Sequence, residues 1–117
     1  MSNYPNIVIA PFNSALHHEA KGIRADVLRK PLGLPADDPA FNDKESDVHF
    51  VALENEQVVG VVVLVPHYKK GIGKLRQMAT AEKVRGKGYG IQLVKALEEY
   101  AAKNGMTSIL LHSRHYA

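Results

Sequence analysis

The stretch from Glu82 to Gly105, "EKVRGKGYGIQLVKALEEYAAKNG", decides how the rest of the chain is read. At its front, Arg85-Gly86-Lys87-Gly88-Tyr89-Gly90 gathers three glycines and two cations into one short bend. A long helical pattern follows at once. Ile91, Val94, Leu97 and Ala101, joined by Leu93 and Tyr100, give a wide apolar face on a helix of about fifteen residues. Asn104-Gly105 then suits a left-handed helix stop. Glycine is a poor helix former, so three of them ahead of a good helix need a reason. A helix start leaves amide N–H groups unpaired and carries partial positive charge. Glycines let those amides face a ligand that no side chain keeps away. A strand, a glycine bend and a helix therefore form a cradle for phosphate oxygens. Arg85 and Lys87 add charge beside it. A Walker-type loop would continue with Gly-Lys-Ser/Thr, whereas Gly90 is followed by Ile91-Gln92. A dinucleotide loop would be G-x-G-x-x-G near the first strand, whereas this is G-x-G-x-G after the fourth.

Upstream of the bend, residues 74–81 ("KLRQMATA") read as a strand. Strict alternation puts Leu75, Gln77 and Ala79 on one face and Arg76, Met78 and Thr80 on the other. Residues 57–67 ("QVVGVVVLVPH") are a continuous β-branched run, the signature of a central strand buried on both faces. Gly60 inside it marks a bulge or a close approach. Residues 47–53 alternate like a half-buried strand, and residues 6–12 form a first strand. Between those two, Leu16, Ala20, Ile23 and Val27 make one apolar helix stripe, which Pro31 ends. The proline- and acid-rich residues from Pro31 to Asp47 read as a loop. Downstream, residues 107–112 ("TSILLH") are a last strand. The order β-α-β-β-β-α-β predicts a single α/β domain over residues 1–117, built on a mixed, mainly antiparallel sheet.

Composition narrows the function classes. Hydrophobic residues make up 45% of the 117 and charged residues 23%, an ordinary globular balance with no run long enough for a membrane helix. The absence of cysteine excludes disulfides and thiolate zinc sites and fits a reducing cytoplasm. The net charge of +3 is small but uneven. Residues 69–87 hold seven of the fifteen cations against Glu82 alone. Residues 37–56 hold seven of the twelve acids against Lys44 alone. The first segment attracts anions, and the second attracts cations.

In this context the bend is more specific than a glycine triplet alone. Arg85-Gly86-Lys87-Gly88-Tyr89-Gly90 fits R/Q-x-x-G-x-G/A and resembles the acetyl-coenzyme A loop of the GNAT family of N-acetyltransferases. "LRQMAT" is similar to that family's fourth strand, and the following helix and "SILLHSR" to its third helix and fifth strand. The resemblance runs from Ile7 to Ala117. It implies an acyl-CoA N-acyltransferase-like fold and acetyl-CoA as cosubstrate. It implies pantetheine contacts at Met78, Ala79 and Thr80, with the diphosphate on the amides from Arg85 to Gly90. Acetyl would pass by direct attack to a primary amine of a small molecule or peptide. A freed amide near Met78 would hold the thioester oxygen.

Two family features are missing. The thiol-protonating tyrosine usually lies on a helix after the fifth strand, with two further strands beyond. Tyr116 falls too early to match it. The fourth strand also carries no carboxylate, so the base is sought at His112, Glu45 or Asp47. Without the usual last helix and strands, the fifth strand leaves an open edge. A second copy completing the sheet, a longer parent enzyme, or a non-catalytic coenzyme A-binding module each accounts for this.

The remaining motifs are weighed against that reading. His17 and His18 are neighbours on a helix and face different directions, and His112 and His115 have no acid close by, so no metal site is expected. Tyr89 either covers the cofactor or is an exposed turn aromatic. The acids Asp37, Asp38 and Asp43 would draw a cationic amine to the acceptor side. The basic run 69–87, with Tyr68 and Tyr89 as stacking groups, is the nucleic-acid alternative. The small net charge argues against it, so no nucleic-acid partner is expected.

Overall fold

The computed structural model of the chain describes residues 6–29, 33 and 43–111. Five strands form one sheet in the order β1-β2-β3-β4-β5. These are β1 Asn6–Ala10, β2 Val48–Glu54, β3 Gln57–Lys69, β4 Ile72–Thr80 and β5 Ser108–Leu111. The first four pair antiparallel, and β5 pairs parallel with β4. Helix α1, Ala15–Arg24, covers one face and α2, Tyr89–Lys103, covers the other. Ser14 caps α1 by accepting from the His17 N–H at 3.2 Å, and a π-helical turn, Ala25–Arg29, continues it. Gly105 at φ 81° ends α2 as its left-handed stop. Both strands run further than the sequence pattern suggests, since β3 continues to Lys69 and β4 starts at Ile72.

β3 is buried on both faces from Val58 to Leu64, as its Val-rich run requires. Val61 and Val63 join Val51, Ala20 and Ala79 on the α1 side. Val62 and Leu64 join Phe50, Leu93 and Leu97 on the α2 side. The ladder slips by one residue between Ala52 and Leu53, where β2 meets Gly60 and then Val58. Gly60 is also a close approach: a Cβ there would lie 3.1 Å from Leu93 Cδ1. Both readings of Gly60 therefore hold, because the bulge lets α2 settle onto the sheet.

A second slip corrects the expected faces of β4. Val63 pairs with Gln77 and Leu64 with Leu75, so Arg76 is the inserted residue. Leu75 packs on the α2 side and Ala79 on the α1 side, not together. An inserted residue breaks the two-residue alternation, so the pattern of the strand changes sides at Arg76. Downstream of the bulge, Met78 and Thr80 face the α2 side.

Candidate functional site

The end of β4 leads through the turn Glu82–Val84 and the glycine bend into α2. Buried Val84 pins this connection to the core beside Tyr89 and Leu93. Gly86 and Gly88 have φ of 84° and 81°, the left-handed region that favours glycine. A Cβ on either would meet nothing within 4 Å, so both open outward. The N–H groups of Arg85 and Lys87 are used in the turn, donating to Glu82 O and Val84 O at 3.2 Å each. No backbone carbonyl among the described residues accepts from Gly86, Gly88, Tyr89, Gly90 or Ile91; the first helical bond starts at Gln92, to Gly88 O. These five donors stand at the positive end of a fifteen-residue helix with no side-chain cap.

They open on a cavity of about 710 Å³. Its walls are Met78 and Thr80 from β4, the bend from Arg85 to Gly90, and Ile91, Val94, Lys95 and Glu98 from α2. Ile91 was expected on the core face of its helix but is 64% exposed, as part of the cavity lip. Among the described residues β5 pairs with β4 only from Ile72 to Leu75, so the Arg76–Thr80 part of β4 has no β5 partner there. Among the described residues, a groove thus runs from the helix-start amides along the end of β4. Its size suits an extended organic ligand, and its amides suit a ligand with an anionic end.

The structure distributes the sequence candidates unevenly. Met78, Thr80, Arg85, Gly86, Gly88, Tyr89 and Gly90 line the cavity together. Ala79 points to the opposite side of the sheet, and Lys87 is turned toward Glu54, with Nζ 3.9 Å from Oε2. Tyr89 is neither lid nor exposed turn residue: its ring is buried in the core and its hydroxyl donates to Glu54 Oε2 at 2.6 Å. That bond holds the Glu54 carboxyl below its ordinary range and pushes the Tyr89 phenol up. A Tyr89 ring packed this way cannot stack on a base. Glu45 is exposed and does not line the cavity. Asp47 is buried, accepts the Lys44 N–H at 3.0 Å and lies 3.8 Å from Arg76. His112, His115, Tyr116, Asp37 and Asp38 lie outside the described residues.

On the α1 side sits a cluster that sequence reasoning missed. The Asp43 carboxylate, 1% exposed, meets His17 Nε2 at 2.6 Å, Arg24 Nη1 at 2.9 Å, His49 Nε2 at 3.2 Å and Arg76 Nη2. Arg24 also donates through Nε to Gln77 Oε1 at 2.7 Å. Asp43 was expected to offer charge to an amine; it is instead saturated by the protein's own cations. His17, Asp43 and His49 bring three potential ligand atoms within 4.8 Å of one another. The chemistry does not suit a metal ion. His17 Nδ1 accepts the Asn13 N–H at 2.8 Å, so the ring proton sits on Nε2 and points at Asp43, leaving no lone pair there. Two guanidiniums on the same carboxylate would also repel a cation. The missed signal was His17, Ala20 and Arg24 at helical spacing, all buried while Leu16 and Ile23 are only half-buried.

Burial holds the His17 pKa below its ordinary value, against the opposing hydrogen bond to Asp43 and helped by the positive charge of Lys21 and of any protonated His49. Burial would raise Asp43, but hydrogen bonds from His49, Arg24 and His17 outweigh it and leave its pKa far below the carboxylate range. Both groups are depressed in the fold, so the unfolded chain binds more protons. Their stabilising effect is complete above the unfolded histidine value of 6.5 and declines as pH falls below it, with a further loss below 3.8 as Asp43 is titrated. We expect a lower urea midpoint at pH 5 than at pH 7.5, and a smaller difference in His17→Gln. Equal midpoints at both pH values for the unaltered protein would contradict the assignment of a neutral, buried His17.

The geometry thus combines a glycine-framed anion cradle with a part of β4 that has no β5 partner among the described residues, and the comparisons agree with it. The model of the acetyltransferase (GNAT) family matches residues 16–116. An uncharacterized N-acetyltransferase of Bacillus subtilis, YjcF, is 28% identical over 95 residues, covering 81% of this chain; the chain spans only 66% of that relative's length. Among solved structures, a putative N-acetyltransferase from Lactobacillus plantarum superposes with a TM-score of 0.80 at 24% identity, over 97% of this chain and 77% of its own. An aminoglycoside 6'-N-acetyltransferase complexed with coenzyme A gives 0.71 at 19% identity, over 91% of this chain and 60% of its own. The two structures speak for the fold; the family model, spanning nearly the whole chain, places the protein in the acetyltransferase (GNAT) family.

Proposed function

We propose that this protein transfers acetyl from acetyl-CoA to a primary amine of a small molecule or peptide. The observation that carries the reading is the set of amides at Gly86, Gly88, Tyr89, Gly90 and Ile91, which meet no backbone acceptor among the described residues, in a bend that lines the same cavity as Met78 and Thr80. In this reading those amides and the Arg85 guanidinium hold the diphosphate, since charge-assisted hydrogen bonds from a helix start favour an anion. The pantetheine arm lies along β4 at Met78, Ala79 and Thr80. The amine nitrogen attacks the acetyl carbonyl, the C–S bond breaks, and a base takes the ammonium proton while the thiolate gains one. His112 and Glu45 are the base candidates. A thiol-release pH profile for His112→Gln and for Glu45→Gln tells them apart, since only loss of the base removes the acidic limb.

The acceptor reading changes with the structure. With Asp43 and Asp47 engaged internally, attraction of a cationic amine falls to Glu45 and to acids outside the described residues. The lack of cysteine supports a cytoplasmic location. No helix among the described residues is long and apolar enough to cross a membrane. β5 is the last strand of the described sheet, with Leu110 and Leu111 exposed, and a second copy of the chain would cover that edge. A monomeric mass by light scattering at assay concentrations would remove the dimer from the proposal.

Calorimetry with acetyl-CoA tests the reading first, followed by thiol release across a panel of primary amines. Saturable one-site binding with turnover on at least one amine is expected. Binding without thiol release from any amine would leave a coenzyme A-binding module; no binding would remove the reading altogether.

A further inference from the structure

The Asp43 cluster lies across the sheet from the cavity, yet it converges on the strand that forms the cavity wall. Its two arms end on neighbouring residues of β4, Arg76 and Gln77. Arg76 is the inserted residue of the bulge, where the ladder to β3 passes from Gln77 directly to Leu75. A bulge disrupts the ladder locally, so side-chain contacts made there help to fix the course of the strand. Here two successive side chains turn to the α1 side. One is held by Asp43 itself, and the other by Arg24, which Asp43 also holds. The next residue, Met78, points through to the cavity, as does Thr80.

We infer that Asp43 is a positioning residue: through Arg76, and through Arg24 and Gln77, it fixes the β4 bulge and so sets where Met78 and Thr80 stand in the cavity wall. The consequence for cofactor binding rests on the acetyl-transfer reading; the coupling across the sheet does not. Asp43 is anchored in turn by His17 of α1 and His49 of β2. The bulge is thereby tied to the helix, to β2 and to the segment entering β2. A buried carboxylate with four cationic or N–H donor partners is a costly device for stability alone, since apolar side chains fill such a volume as well. Its geometric specificity is what an apolar cluster would lack.

The test uses methionine methyl groups labelled with carbon-13. The chain has three methionines. Met78 faces the cavity, and Met106 is buried in the α2-side core, away from the cluster, as an internal control. Asp43→Asn keeps the shape and removes the charge. It is expected to move the Met78 resonance, leave Met106 in place, and weaken acetyl-CoA binding by about tenfold, or roughly 1.4 kcal/mol. Gln77→Leu cuts one arm only, keeps most of the side-chain volume, adds no methionine, and serves if Asp43→Asn is not recovered folded; it should move Met78 in the same way. An unmoved Met78 in a folded variant overturns the inference. Equal movement of Met78 and Met106 also overturns it, because that reports general loosening. If the unaltered protein fails to bind acetyl-CoA, the acetyl-transfer reading falls, and the two resonances still decide the coupling.

Discussion

Gly88→Val should lower acetyl-CoA affinity by at least about 100-fold while the protein still folds. Gly88 is the residue before α2 and sits at φ 81°, in a bend whose neighbouring N–H groups meet no backbone acceptor among the described residues. A Cβ there meets no atom within 4 Å beyond its chain neighbours, so the added side chain starts out into open space. The backbone cost of holding a branched residue at positive φ is about 1–2 kcal/mol, within the reserve of an ordinary domain. The side chain instead fills the space through which an anion would approach the amides. Losing even one or two charge-assisted hydrogen bonds costs roughly 1.5–3 kcal/mol each, which accounts for the expected factor.

Gly90→Ala separates ligand access from backbone strain. Gly90 is already helical, and its Cβ would lie 3.8 Å from Met78 Sδ, an ordinary contact. The fold should be unchanged or steadier by about 0.5–1 kcal/mol, since alanine suits a helix better than glycine. Affinity should still fall. Calorimetry and a thermal melt on both variants supply the two axes. Unchanged affinity in both would mean the glycine bend serves the turn and not a ligand.

The parts of the fold that local chemistry controls were legible in the sequence. The unbroken Val run of β3 needs two covering layers, and it has them. The glycine bend needs an open approach, and it has one. What the sequence concealed depends on pairing between distant residues. The one-residue slip at Arg76 is invisible in "KLRQMATA", because alternation is a local rule and a bulge is set by the partner strand. It moved Leu75 to the face opposite Ala79. The Asp43 cluster draws on positions 17, 24, 43, 49, 76 and 77, spread over about half of the chain. Each of those side chains alone reads as a solvated polar group. Tyr89 was misplaced for a related reason: its partner Glu54 lies 35 residues earlier, on the β2–β3 hairpin.

Arg24→Met should be the most destabilising of the substitutions considered, at about 3–5 kcal/mol, a large share of the 5–15 kcal/mol typical of a domain. Arg24 is fully buried, and its guanidinium spans Asp43 and Gln77. Methionine fills most of the volume, so cavity formation contributes little and the loss is electrostatic. Asp43 would keep His17 and His49, both weaker partners, and Arg76, whose side chain is 19% exposed. A carboxylate this deeply buried cannot recover the missing charge from water. The loss should show as a melting temperature lower by roughly 10 °C or more. The second half of the prediction is non-additivity. Once Arg24 is gone, the negative charge on Asp43 is partly uncompensated, so Asp43→Asn should then cost less than it does in the unaltered protein. The double variant should therefore fall short of the summed single losses by at least about 1 kcal/mol. Additive losses in urea titrations of the four proteins would show that Asp43 does not sense Arg24, and the hub would reduce to unconnected pairs.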